Sequence, residues 1–409
     1  MKHLKFNLKT VIFLCSFFFI LKGNAQQLET LINDALKNNP EIKKFDYQHK
    51  IASEKIHEVN SLPNTEFNLG VMAISPEMNM PMQRFKVSVM QMLPWFGTIS
   101  ARKNYATTLA EAEFVEVTIA KRKLVLSVSK LYYQLYEINA KQKVLDKSIE
   151  LLKHYERLAL TALEVSKASA VDVLKLQIRQ NELNQEKAVL IQQYNGIQAA
   201  INSKLNRSYN TKVTIESSPE IPEEDTLYDY ETLALNPELL KYDKLYQSVE
   251  LSELLNQKEK KPMIGVGLEY INQESNGMIT SPFKDMIMPM VSITLPIFNK
   301  KYTSQTKQNE LRKKVLQFQK DDRLNGLKAD LSKAISLRNQ SRIKFNTQSK
   351  NLKQAKNVEE IILKKYETGT INFNDILDIQ ELQLKFQINQ IEAIKTYYLQ
   401  TTIINYLKQ

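Results

Sequence analysis

Apolar residues recur along this chain with two different periods, and the period switches in the same order in each half. Phe67, Leu69 and Val71 share one side of an alternating run, as do Phe85, Val87 and Val89. Ile264, Val266, Leu268 and Tyr270 alternate with Gly265, Gly267 and Glu269, and Val291, Ile293 and Leu295 alternate with Ser292 and Thr294. A period of two with one apolar side marks a half-solvated strand. Strands are therefore expected over roughly 64–74, 84–93, 262–272 and 287–295. Elsewhere the apolar step is four, three, four, three: Leu124, Val128, Leu131, Leu135 and Ile138, continued by Leu145, Ile149 and Leu152. Leu377, Leu384, Ile388, Ile391 and Tyr398 keep the same register near the end of the chain. This is the seam of a coiled coil. It predicts long helices over roughly 97–163, 170–206, 299–367 and 372–407, with shorter ones near 40–60 and 237–260.

Only 9 Gly and 12 Pro occur in 409 residues, so little interrupts those helices. From Gly97 to Leu163 a helix would span about 100 Å at 1.5 Å per residue. One globule cannot bury such a rod; it must lie along others in a bundle. The four strand segments match the length of membrane-spanning strands whose other side lines a polar lumen. Four are too few to close a barrel, so a barrel would need several chains.

The second half repeats the first. Asn39-Pro40-Glu41 returns as Asn236-Pro237-Glu238, and Leu93-Pro94-Trp95-Phe96 returns as Leu295-Pro296-Ile297-Phe298. Val171-Asp172-Val173-Leu174 returns as Asn374-Asp375-Ile376-Leu377, and Ile201-Asn202 as Ile404-Asn405, at a constant offset of 203 for the last two. A repeat of this kind is sought before any fold is assigned. It divides the chain into residues 26–225 and 226–409, each with the order helix, strand, strand, long helix, helix.

Residues 1–25 read as an export signal: Lys2, Lys5 and Lys9, then the apolar stretch Val11 to Leu21, then Gly23-Asn24-Ala25 before Gln26. Cys15, the sole cysteine, lies within it without the small preceding residue that lipid attachment favours. The expected mature chain is not lipidated and has no cysteine, which excludes disulfides, thiol catalysis and cysteine metal sites. The formal charge of +11 falls to +7 without the signal's four lysines. Interspersed Lys and Glu read as solvated helix faces, and no nucleic-acid partner is expected.

Two motifs carry a resemblance. Tyr366-Glu367-Thr368-Gly369-Thr370 is followed by Asn374-Asp375-Ile376-Leu377-Asp378, and Gln91-Met92-Leu93-Pro94-Trp95-Phe96-Gly97 joins a strand segment to a helix segment. With the duplicated element order, these resemble the TolC family of outer-membrane efflux proteins, in the branch serving heavy-metal pumps of the resistance-nodulation-division type. The resemblance spans the mature chain. It implies a mainly α fold with a small β part: a coiled-coil α-barrel of twelve helices per trimer, and four strands per chain in a trimeric twelve-stranded transmembrane β-barrel. It implies a passive exit duct in the outer membrane of a Gram-negative cell, reaching into the periplasm. The implied partners are two further copies of the chain, a periplasmic adaptor, an inner-membrane pump and outer-membrane lipid; no cofactor is implied.

The resemblance assigns the periplasmic aperture to Asp375 and Asp378, with Asp172 as their counterpart in the first repeat. Residues i and i+3 share a helix face, so three chains would ring the narrow end with carboxylates. The alternative is helix capping, since acids in a first turn are favoured by the dipole. Lys175 stands where the first repeat would carry the second acid, and Ser166 stands where the second has Gly369. Adaptor docking is assigned to the tips, at Ser166, Lys167, Gly369 and Thr370.

Methionine gathers around the first strand pair at Met72, Met78, Met80, Met82, Met90 and Met92, and around the second at Met278, Met286, Met288 and Met290. Thioethers suit soft cations such as Cu(I) and Ag(I), which makes Met78, Met80 and Met82 candidate weak contacts. Methionine also fills irregular apolar gaps. His49 and His57, two turns apart on one helix, are too distant to share an ion and, with His154, are expected at the surface. No HExxH, nucleophile elbow, phosphate loop or Rossmann glycine pattern occurs, so no enzyme activity is expected. The other readings are a general drug or type I secretion duct, a periplasmic adaptor and a structural coiled coil. An adaptor would pair one hairpin with Gly-rich β domains, and a coiled coil leaves the four strands unexplained.

Overall fold

The computed structural model describes residues 26–71, 82–164, 169–215, 219–225, 230–274, 285–367 and 373–408. Its elements are helices α1 (Gln26–Asn38) and α2 (Pro40–Val59), strands β1 (Glu66–Val71) and β2 (Met82–Leu93), and helices α3 (Thr98–Glu164) and α4 (Ala170–Lys204). A 3-10 turn (Tyr230–Leu235) leads to α5 (Pro237–Glu259), β3 (Met263–Glu274), β4 (Asp285–Thr294), α6 (Lys301–Glu367) and α7 (Phe373–Lys408). The chain is thus mostly helical, with one antiparallel sheet in the order β1-β2-β3-β4. Helix α1 has no counterpart among the sequence expectations, because its apolar stripe is short and sits directly beside the segment expected to be an export signal. The expected signal, with Cys15, lies outside the described residues.

Contacts divide the chain into two compact units that cut across both repeats. Among the described residues, the first comprises those up to Lys43, Ile119–Asn236 and Asn325–Gln409; the second comprises those in Lys44–Thr118 and Pro237–Leu324.

In the first unit the heptad seams are the core. Leu124, Val128, Leu135, Leu145 and Leu152 are buried, as are Leu384 and Ile391 across from them. One continuous cluster links Leu145, Ile149, Leu152, Tyr155 and Ala159 of α3 with Leu176 and Leu183 of α4 and Ile376 of α7. Burying one such side chain contributes about 1.5–3 kcal/mol. The Asn-Pro-Glu landmarks have a local cause. Asn39 caps α2, its Oδ1 accepting from the Glu41 and Ile42 amides at 2.8 and 3.4 Å. Pro40 then takes the first helical position, where its missing N–H costs nothing, and Glu41 meets the positive end of the dipole.

In the second unit the sheet has two unlike faces. The pairings Leu69↔Val87, Val87↔Tyr270, Val89↔Leu268, Val266↔Val291 and Ile264↔Ile293 put the apolar residues on one side. That side is bare: Phe67, Leu69 and Val71 are each 73% exposed and Val291 is 74% exposed. The other side carries Glu66, Asn68, Lys86, Ser88, Glu269, Ser292 and Thr294. Lys86 pairs there with Glu269 at 3.1 Å. Pro94 follows the end of β2, and Gly97 adopts a left-handed φ of 79° as the chain turns into α3. Only glycine takes that conformation cheaply. At the matching junction Asn299 stands instead and accepts from the Lys301 amide at 2.9 Å, capping α6. Helix α5 is held between its neighbours by Arg102–Glu259 (2.9 Å), Lys244–Glu111 (2.7 Å) and Lys313–Glu250 (3.1 Å).

Candidate functional site: the hairpin tips and the two-faced sheet

The acids assigned to the aperture lie at the start of α7. Asp375 and Asp378 are both exposed, while Ile376 and Ile379 turn into the core. The i, i+3 spacing therefore does put the two carboxylates on an outward face, as the period of a helix requires. Asp172 is engaged locally. Ser169 caps α4 by accepting from the Val171 amide at 3.1 Å, and Asp172 accepts from the Ser169 amide at 3.2 Å, completing a capping box. Tyr366, from the motif at the second tip, has its hydroxyl pKa raised, first by burial and then by the charge of Asp172.

Two polar links join the hairpins next to these acids. Lys175 donates to Asn374 Oδ1 at 2.9 Å, and Arg179 pairs with Glu381 at 3.3 Å. The lysine that departs from the acidic pattern is thus a tie to the opposite tip. Lys175, Arg179, Asp378 and Glu381 line one groove between α4 and α7. Ser166, Lys167, Gly369 and Thr370 lie outside the described residues.

Behind the tips is a network that the apolar periodicity does not reveal. The side-chain amides of Gln177 and Gln180 donate to the two carboxylate oxygens of Glu156 at 2.8 and 2.7 Å. Those bonds hold its pKa below the usual carboxylate range. In the second hairpin Gln380 and Gln383 donate to Glu359 in the same way, the latter at 2.8 Å. All three positions recur at the offset of 203 found for the tip motifs, which is the signal that would have exposed them. Each clamp fixes the register of a short helix against a long one.

The segment between the repeats docks through Asp225 and through the carbonyls of Glu220, Pro222 and Glu223, which accept from Tyr398 and Arg342. Asp225 receives Arg342 on both oxygens (2.6 and 3.1 Å) and the Tyr397 hydroxyl (2.6 Å). Arg338, only 3% exposed, stands 3.6 Å away. Burial alone would raise the Asp225 carboxyl, but Arg342 and Tyr397 outweigh it and hold it below the usual range. Arg338 occupies the seam position that Leu135 fills one repeat earlier.

Among the described residues, no three His, Cys, Asp or Glu side chains gather as a metal centre would require. His57 and His154 are exposed. His49 is half-buried, against the surface expectation: its Nδ1 lies 3.1 Å from the Ala110 carbonyl and its ring packs on Phe114. Met78 and Met80 lie outside the described residues, and Met82 opens β2. Among the described residues no helix is long and apolar enough to cross a membrane.

No protein-family model matches the chain, and no curated protein matches it by sequence. Solved structures do match. The outer-membrane channel OprN is 14% identical over 93% of this chain and 89% of its own, with a TM-score of 0.78. CusC, a protein studied for transmembrane channel formation, is 13% identical over 95% of both chains, with a TM-score of 0.77. The outer-membrane protein VceC of Vibrio cholerae is 15% identical over 93% of this chain and 96% of its own, with a TM-score of 0.73. The chain therefore has the fold of TolC-type outer-membrane efflux channels along nearly its whole length.

Proposed function

We propose that this protein is the outer-membrane exit duct of a tripartite efflux pump, working as a homotrimer and conducting its cargo passively. One observation carries the reading. The sheet ends in β1 and β4, whose outer edges have no partner strand among the described residues, and its apolar face is bare. An open edge cannot stay unsatisfied in lipid, and water would not tolerate that apolar face. Three copies joined β4 to β1 would close twelve strands, turn the apolar face to lipid and enclose the polar one. Helix α6 supports the same assembly: Leu311, Val315 and Phe318 form an exposed heptad stripe that a neighbouring copy would cover.

In this reading the tips face a periplasmic adaptor and an inner-membrane pump, with docking near Ser166, Lys167, Gly369 and Thr370. Asp375 and Asp378, backed by Asp172, form the cation-selective narrow end. The pump does the energised work, and adaptor docking opens the aperture. The methionines of the sheet favour heavy-metal cations as cargo. The test is to purify the outer-membrane fraction, look for a heat-modifiable trimer, and reconstitute it in planar bilayers. Discrete cation-preferring conductance is expected; a monomer without conductance would refute the duct. A deletion strain selectively sensitive to copper and silver would fix the cargo as metal, whereas broad sensitivity to detergents and dyes would make it a general duct.

A further inference from the structure

The polar face of the sheet carries six thioethers that the fold does not need for closure: Met90 and Met92 on β2, Met263 on β3, and Met286, Met288 and Met290 on β4. In one rung Met92, Gly265 and Ser292 stand side by side across β2, β3 and β4. The next rung is Met90, Gly267 and Met290. Met288 and Met286 follow on β4, each step about 7 Å further along the strand. Apart from Ile271 and the glycines, the face is built of polar residues such as Ser, Thr, Asn, Lys and Glu, and polar side chains at these positions would gain more solvation.

Two of the sulfurs converge. The Ser292 Oγ lies 3.9 Å from Met90 Sδ and 3.8 Å from Met92 Sδ. The space they share exists because β3 has no side chain there. A Cβ on Gly265 would overlap Ser292 Oγ, stand 2.7 Å from Met92 Sδ and stand 3.1 Å from Met90 Sδ. A Cβ on Gly267 would meet the Val89 carbonyl oxygen at 2.4 Å and lie 3.1 Å from Met90 Sδ. The strand interior thus has glycine at the two points where sulfur approaches the backbone, which is a known use of glycine within strands. Met90 and Met92 are half-buried, so their sulfurs are partly shielded from water without being shut in. Met290, across Gly267 from Met90, has three rotatable side-chain bonds and supplies a third thioether on the same face.

We infer that Met90, Met92 and Ser292, with Met290 as a further donor, form a binding site for a soft monovalent cation, Cu(I) or Ag(I). Neutral thioethers bind such ions and discriminate against Zn(II), which prefers thiolate, imidazole and carboxylate. Binding by uncharged donors is also weak enough for release, which a conducting pore requires. Met288 and Met286 would then be successive resting points toward the end of β4 that adjoins residues 275–284. This deepens the duct proposal, on which it rests only in taking the polar face as the bore.

The test uses the full-length protein in detergent with methyl-13C methionine, and Ag(I) as a redox-inert probe in chloride-free buffer. The Met90 and Met92 methyl resonances are expected to shift with Ag(I) and stay in place with Zn(II). Met90→Leu with Met92→Leu keeps volume and removes both sulfurs; it should weaken Ag(I) binding at least about tenfold, or 1.4 kcal/mol. Equal binding by that variant, shifts confined to other methionines, or an equal response to Zn(II) would overturn the site. Conductance of the same preparations reports on the duct separately: a conducting wild type that ignores Ag(I) refutes the site alone, and a silver-binding protein without conductance refutes the duct alone.

Discussion

The side-chain amide of Asn39 donates to the backbone carbonyl of Lys204 at 2.7 Å, tying the start of α2 to the end of α4. Asn236 repeats the bond on Leu407 at 2.8 Å, at the end of α7. Both asparagines are buried, and both accepting carbonyls belong to the last turn of a helix, where they have no partner in their own ladder. Asn39→Asp keeps an oxygen for capping α2 but loses the donor, leaving the Lys204 carbonyl facing a carboxylate. A loss of about 1–3 kcal/mol is expected, the cost of a buried group left unsatisfied. Asn236→Asp should behave alike. Denaturant midpoints of the detergent-solubilised protein measure both, and an unchanged midpoint would show that the tie contributes nothing.

The two faces of the sheet predict opposite responses to the same charge. Leu69→Arg places a guanidinium on the bare apolar face and should cost about 2–4 kcal/mol if the position lies near the membrane midplane. Asn68→Arg, one residue earlier and on the polar face, should be tolerated. The yield of heat-modifiable trimer from outer-membrane fractions compares them. If both variants assembled equally, the apolar face would not face lipid.

Much of this architecture is legible in the sequence because two simple periods dominate it. The alternation from Ile264 to Tyr270 marks β3, whose apolar residues share the bare face, and the four-three step from Leu124 to Ile138 marks α3, whose Leu124, Val128, Leu135 and Ile138 turn into the core. The candidate site is less legible. Glu156, Gln177 and Gln180 are polar at positions that look like solvated helix surface, and nothing in the period distinguishes a clamp from a wet face. Asp225 lies between elements, and its partners Arg338, Arg342 and Tyr397 are over a hundred residues away. Met90 and Met92 were visible as methionines, but the glycines that let their sulfurs converge belong to another strand whose register the sequence does not state.

The docked segment between the repeats should be acid-sensitive. Asp225 has a folded pKa below its ordinary value near 3.9. A depressed carboxylate contributes stability that is fully present above the unfolded pKa and is lost as pH falls through the folded one. Docking should therefore hold at neutral pH and weaken below about pH 4. Asp225→Asn removes the charge, so it should undock the segment at pH 7 and abolish this acid response. Limited proteolysis over residues 209–225 across pH 3–7 is the measurement. An identical cleavage profile at both ends of that range in the native protein would contradict the assignment.

The tips supply the sharpest test of gating. Lys175 and Arg179 hold α4 to α7 through Asn374 and Glu381, beside the exposed Asp375 and Asp378. These bonds are partly solvated, so each is worth only about 0–1 kcal/mol, and together they bias an opening equilibrium without locking it. Lys175→Ala with Arg179→Ala removes both links and two positive charges. The expected outcome is a channel that opens more often and prefers cations more strongly. Asp375→Ala with Asp378→Ala should leave the links intact while lowering cation preference. High salt should narrow the difference between the first variant and the native channel, because screening weakens the same ion pair. Single-channel recordings at low and high ionic strength separate these effects. If removing the acids left both conductance and cation preference unchanged, the narrow end would have to lie elsewhere along the bore.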